Sequence, residues 1–269
     1  MVFIYDFLFM AMRLNHLVKA LMALLLLLSL STNAETLTIA SSEGPPHTIN
    51  DIHHGIDLDI VEAVLMRLGY DVDYQFMGLK RAQHELKMGH VDVTAPTFMQ
   101  SDIEGSFTSA PIVQYQPMVF SLKSSKLTPI SILDMQGHSV ATFQGAPGYF
   151  GADFIELAKG KQYKEITDMA AIPELLAKAR YDFAVLDKYI FYYFYRLNDK
   201  SRDVSIFTEH RLIPAVAASA SFHDAAIRDA FNNELPEFLN SEECKQIFER
   251  YLGSALLSLE PNRQELRFN

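Results

Sequence analysis

The stretch Gly55-Ile56-Asp57-Leu58-Asp59-Ile60-Val61-Glu62-Ala63-Val64-Leu65-Met66-Arg67-Leu68-Gly69-Tyr70 decides the fold. Ile60, Val61, Val64, Leu65 and Leu68 recur at helical spacing, Asp57 is placed to cap the start, and Gly69 stops the run. An alternating strand, Thr36 to Ala40, precedes it across a loop, Ser41 to Asn50, that carries Gly44-Pro45-Pro46. Val72 to Phe76 then reads as a second strand, Lys80 to Met88 as a short helix ended by Gly89, and Val91 to Ala95 as a third strand. This is the β-α-β-α-β order of a parallel sheet.

The same grammar returns downstream. Strand Ser139 to Phe143, helix Tyr149 to Lys159, strand Tyr163 to Thr167, helix Ile172 to Ala179 and strand Phe183 to Leu186 make a second unit. A shared spacing supports the pairing: Leu86-x-x-Gly89-x-x-Asp92-Val93 and Leu176-x-x-Ala179-x-x-Asp182-Phe183 both sit at a helix-to-strand junction. An apolar strand from Gln116 to Leu122 leads from one unit to the other, and the chain returns through Leu212 to Ala217. Two helices, Asp224 to Leu239 and Glu242 to Leu252, close the chain. The expected organisation is one discontinuous lobe, 35–118 plus 213–269, and a second lobe, 119–212, with two bridging strands as hinges.

Residues 1–34 read as a secretory signal peptide. Leu21 to Leu30 is apolar, Arg13 and Lys19 precede it, and Ser31-Thr32-Asn33-Ala34 supplies the small residues that signal peptidase requires. The apolar block is shorter than the roughly 20 residues that span a bilayer, so cleavage near Ala34 and release into the periplasm are expected. Met10 or Met12 would give a more conventional start than Met1. The body left after cleavage holds 21 basic and 32 acidic residues, a balance that argues against nucleic acid or anionic lipid as partner. Cys244, the only cysteine, excludes an intrachain disulfide and falls in a helical pattern beside Ile247 and Phe248, as a structural thiol does.

Gly55-Ile-Asp57-Leu-Asp59-Ile60-Val61, Leu68-Gly69-Tyr70 and Leu86-x-x-Gly89-x-x-Asp92-Val93, in that order, resemble the first lobe of bacterial family 3 extracellular solute-binding proteins. Ser109-Ala110-Pro111 resembles that family's F-S-x-P element, and Leu133-x-x-x-Gly137-x-x-Val140-Ala141 with Gln144-Gly145 resembles the signature that opens its second lobe. The resemblance runs from about residue 36 to 252. It implies an α/β type II periplasmic binding protein fold, two α/β lobes joined by two hinge strands, with a small-molecule ligand held in the cleft between them. It also implies delivery to an ABC permease in the inner membrane by a monomeric protein without a cofactor.

Ligand-binding candidates follow from that placement. Gln144 and Gly145 open a strand-to-helix loop whose free N–H groups suit an anion. Asp187 ends a strand where amino-acid binders of the family pair an acid with the ligand's ammonium; it is equally well placed to cap the helix Lys188 to Leu197. Tyr189, near the start of that aromatic helix, can reach the cleft. Where such binders carry T-x-x-R, whose arginine clamps a carboxylate, this chain reads Thr97-Phe98-Met99-Gln100-Ser101-Asp102-Ile103-Glu104-Gly105, with no arginine. Counting from flanking motifs puts Glu104 or Asp102 there, which disfavours a ligand carboxylate and points to a cationic or neutral solute. Arg81, after the second strand, and Glu43, beside the rigid Pro45-Pro46, complete the candidate set. Asp57 and Asp59 are assigned to helix capping rather than to the site.

His47, His53 and His54 with Asp51 match no helical H-x-x-x-H or C-x-x-C spacing, so no metal is expected. No nucleophile elbow, phosphate loop or dinucleotide motif is visible. Two other classes compete with solute capture. One is a secreted enzyme on the same scaffold, similar to cyclohexadienyl dehydratases, using desolvated Glu104 or Asp102 as general acid. The other is a sensor or partner-binding module that signals by closing.

Overall fold

The computed structural model describes residue 19 and residues 34–98, 102 and 104–253. The signal peptide therefore lies outside the described residues apart from Lys19 and Ala34, as do Met99, Gln100, Ser101, Ile103 and the chain after residue 253. Among the described residues no helix is long and apolar enough to cross a membrane.

The first half is built from β1 (Glu35–Ser41), α1 (Ile56–Arg67), β2 (Tyr70–Phe76), α2 (Leu79–Lys87), β3 (Val93–Thr97) and β4 (Phe107–Tyr115). After Gln116 the chain enters β5 (Pro117–Leu122), β6 (Val140–Phe143), α3 (Ala146–Phe150), α4 (Ala152–Leu157), β7 (Tyr163–Ile166), α5 (Ala171–Ala177), β8 (Phe183–Asp187), α6 (Lys188–Arg196) and β9 (Phe207–His210). It then returns through β10 (Val216–Phe222) to α7 (Ala225–Leu239) and α8 (Glu242–Leu252). Two five-stranded sheets result, ordered β2-β1-β3-β10-β4 and β7-β6-β8-β5-β9. Each sheet is mixed. β10 runs antiparallel to β3 and β4, and β5 runs antiparallel to β8 and β9, so the sheets are not wholly parallel; the parallel pairing expected from the β-α-β order is seen for β1 with β3 and for β6 with β7 and β8.

β4 had no counterpart in the sequence reading, because Ser109-Ala110-Pro111 interrupts its alternation. It is an edge strand, and Pro111 falls at a register shift in its pairing with β10, both settings that tolerate a proline's missing N–H. The helix read from Tyr149 to Lys159 is two short helices, broken where Gly151 takes a φ of 85°. Asp57 does not cap α1. The N-cap is Gly55, and Asp57 is the second residue of the helix, where its side chain has other work.

One hydrophobic core runs from Ile39 on β1 and Val61 on α1 through Phe120 on β5 and Phe191 on α6 to Phe231 on α7 and Phe248 on α8. Phe120 stacks on Phe191 with ring centroids 3.8 Å apart. A smaller core of Val119, Val140, Phe154 and Val185 lies within the second sheet and its helices. Each such residue withdrawn from water contributes about 1.5–3 kcal/mol, so the packing is the main source of stability in a chain without disulfides. Cys244 is buried in this core, and burial pushes its thiol up to about 12, as expected of a structural thiol.

α8 opens on Ser241, whose hydroxyl accepts the Cys244 N–H at 3.1 Å. Ser241→Ala is expected to lower stability by about 1 kcal/mol in urea unfolding, the usual cost of losing such a cap.

Candidate functional site

α1 begins against the backbone of the preceding loop. The Ile56 N–H donates to the Pro46 carbonyl at 2.9 Å and the Asp57 N–H to the His47 carbonyl at 3.0 Å. Only glycine fits at position 55: its φ is 149°, and a Cβ there would stand 2.2 Å from the His47 oxygen. This clasp turns the His47 ring inward, where it is fully buried.

The ring meets acids from both halves of the chain. Its Nδ1 lies 2.8 Å from Asp57 Oδ1, and its Nε2 lies 3.5 Å from Asp187 Oδ1. Tyr115, at the end of β4, stacks on the imidazole at 3.9 Å and 17°, and its hydroxyl donates to Asp57 Oδ2 at 2.9 Å. Asp187 is held from its other side: Oδ1 accepts the N–H groups of Tyr189 at 2.8 Å and Ile190 at 3.2 Å, and Oδ2 accepts the Gln116 N–H at 2.6 Å. Burial alone would lower the His47 pKa. The charge of Asp57, one hydrogen bond to each acid and the charge of Asp187 more than reverse this and raise it to about 9, so the ring is an imidazolium at neutral pH. Burial, then the charge of Asp57, pushes the Tyr115 hydroxyl far above its ordinary value, and it stays a neutral donor.

Asp187 therefore caps α6, and it also faces the ring delivered by the first lobe. Tyr189 is buried beside it, 6.0 Å from both the His47 ring and the Phe248 ring. The remaining sequence-selected residues are engaged elsewhere. Glu43 is exposed and accepts the Asn50 N–H at 2.8 Å. Arg81 is exposed and pairs along its own helix with Glu85 at 3.4 Å. Glu104 is 93% exposed, with Lys87 at 3.7 Å. Gln144 and Gly145 are exposed, and the Gly145 N–H donates to Glu165 at 2.8 Å. Asp102 accepts the Thr108 N–H at 2.6 Å and faces the Arg228 guanidinium at 3.4 Å. The arginine absent from Thr97 to Gly105 is thus not replaced locally; one from α7 balances Asp102.

Sequence reasoning placed His47 among solvated loop histidines and so missed it, along with Tyr115 and Gln116. The carboxylates facing His47 are 10 and 140 residues away, and no local spacing announces such a contact. His54 also finds acids. Its Nδ1 lies 2.9 Å from Asp59 and 3.7 Å from Glu62, and the three donor atoms fall within 4.8 Å of one another. Asp59 is further claimed by Arg250 and by the Tyr251 hydroxyl, both at 2.7 Å, and Glu62 by the Tyr74 hydroxyl at 3.1 Å. These bonds tie α1 to α8 and β2.

Residues 37–254 match the family model of bacterial extracellular solute-binding proteins, family 3. The chain belongs to that family. Among solved structures, the GluR0 ligand-binding core in complex with L-glutamate superposes with a TM-score of 0.62 at 18% identity, over 82% of this chain and 99% of that one. The L-cystine solute receptor of Neisseria gonorrhoeae, in an unliganded open conformation, gives 0.61 at 19% identity over 82% and 94%. A histidine kinase sensor domain similar to periplasmic binding proteins gives 0.59 at 19% identity over 82% and 97%. Comparison with curated protein sequences yields no match. The two mixed sheets are those of the type II periplasmic binding protein fold. In this family 3 member, the His47 ion group lies beside Gln116, where the chain passes from one sheet to the other.

Proposed function

We propose that this family 3 member is exported to the periplasm, captures a small polar solute between its two lobes, and delivers it to an ABC importer. The observation that carries this reading is the family match spanning both sheets, together with two chain crossings that can act as hinges, at Gln116 and between β9 and β10. Closure follows when the solute binds the closed form better than the open one, and the differential affinity sets how far the equilibrium moves.

The enzyme reading loses its proposed acid. General acid work at neutral pH needs a desolvated carboxyl. Glu104 is almost wholly solvated, and Asp102 faces Arg228.

The test is thermal unfolding of the mature protein against amino acids, peptides, amines, organic acids and neutral polyols, with small-angle scattering for each solute that shifts the transition. A saturating ligand at about 100 times its Kd stabilises by roughly 2.7 kcal/mol, which raises the melting temperature by several degrees in a chain of this size. One chemical class is expected to do so and to contract the particle. If no class moves either readout, solute capture is wrong.

A further inference from the structure

The ion group at the crossing has the composition of a binding site that is already filled. Two buried carboxylates from different lobes, Asp57 and Asp187, stand on opposite edges of one planar cation, and Tyr115 covers its face. Such a box, two acids and an aromatic plate, is what recognises an organic cation from solution, because the aromatic face adds cation–π attraction to the charge pairing. Here the cation is part of the chain. His47 is fully buried between the acids, while Asp187 is 6% exposed.

We propose that His47 is a resident ligand: its imidazolium occupies the Asp57–Tyr115–Asp187 box, denies Asp187 to any ammonium group of a solute, and thereby restricts the cleft to solutes without one. This rests on the solute-binding reading for its consequence, though the box chemistry itself does not. The lone pairs of Asp187 support it. A carboxylate offers about four acceptor positions. Oδ1 takes the N–H groups of Tyr189 and Ile190 and faces the His47 ring, and Oδ2 takes the Gln116 N–H, so the ring is the cation that stands against this carboxylate. An incoming ammonium would have to displace a buried ring that is also bonded to Asp57 at 2.8 Å. The groups facing the ring are Asp57 from α1, Asp187 from the β8–α6 junction, Tyr115 from β4 and Tyr189 from α6.

Removing the ring should expose the box as a site for a free organic cation. In His47→Ala, about 20 mM imidazole near neutral pH is expected to raise the melting temperature by about 3–6 °C, with a shift under about 1 °C in the native sequence. The rescue should vanish in His47→Ala/Asp187→Asn, and neutral pyridine should not reproduce it. Should His47→Ala fail to fold alone, refolding yield with imidazole against equal sodium chloride gives the same readout. Independently of any variant, nitrogen NMR of the native protein at about pH 7.5 is expected to show both His47 ring nitrogens protonated. A neutral His47 ring, or a folded His47→Ala that imidazole leaves unmoved, overturns the proposal. So does α-amino-acid binding by the native protein that Asp187→Asn abolishes. A solute panel with no response defeats solute capture and leaves the imidazole result standing; a failed rescue beside a responsive panel defeats only the resident ligand.

Discussion

Asp187→Ala is expected to destabilise the protein by about 3–5 kcal/mol, the usual cost of removing one partner from a buried ion group, and to lower its melting temperature by about 10 °C. Three losses combine. The cap of α6 disappears, which by itself costs about 1 kcal/mol. The Gln116 N–H, now holding Asp187 at 2.6 Å, is left buried without an acceptor. The imidazolium keeps only Asp57, while the charge it faced across the lobes is gone. His47 can limit the damage by releasing its proton, and for that reason the expectation stops near the lower end of what an isolated buried charge would cost. Asp187→Asn separates these contributions, because the amide oxygen can still cap α6 but carries no charge. It is expected to cost about half as much. Urea unfolding of both variants measures the difference; if Asp187→Ala costs no more than the cap, the ion group does not hold the crossing and its charge is incidental.

How much of this was legible in the sequence depended on whether the cause was local. α1, α7 and α8 follow from periodic apolar residues and their stop signals, and Asp187 as an N-cap follows from a carboxylate at a strand-to-helix junction. The two-unit order was legible too, since strands and helices alternate twice. What was hidden arises from contacts across long separations. β10 joins the first sheet from the far end of the chain and makes it mixed, and β4 is a strand because β10 pairs with it. Asp102 looked like an uncompensated acid until Arg228, 126 residues later, faced it. His47 was hidden twice over. It sits in a loop rich in polar and turn residues, where histidines are commonly solvated, and it is buried because Gly55 lets α1 start against its backbone. A reading from composition had no means of seeing that approach. The family resemblance located Asp187 correctly as a strand-end acid, but it could not show that this chain supplies its own cation.

That internal cation makes stability depend on pH in a window where few other groups titrate. His47 has a folded-state pKa raised to about 9 against an unfolded value of 6.5, so the folded state binds the proton more tightly. The stabilisation is fully present below about pH 6.5, shrinks as pH rises between the two values, and is gone above about pH 9, for a total of about 3 kcal/mol. Other groups fall outside this range or can be subtracted. His210, whose pKa burial lowers, weakens the protein only as pH falls through about 6.5 and below, which is the opposite sign in a different window. Cys244, pushed up to about 12, begins to cost stability only where an unfolded thiol ionises, at about pH 8.5 and above. The tyrosines raised by burial act higher still. Urea unfolding free energies from about pH 6 to 9 should therefore fall steadily in the native protein. In His47→Gln, a less stable protein, they should stay level to about pH 8.5, since the ring that contacts both Asp57 and Asp187 is gone and nothing titrates in its place. Parallel slopes in the two proteins would mean that His47 is neutral when folded, and that the two acids are held across the crossing by something other than its charge.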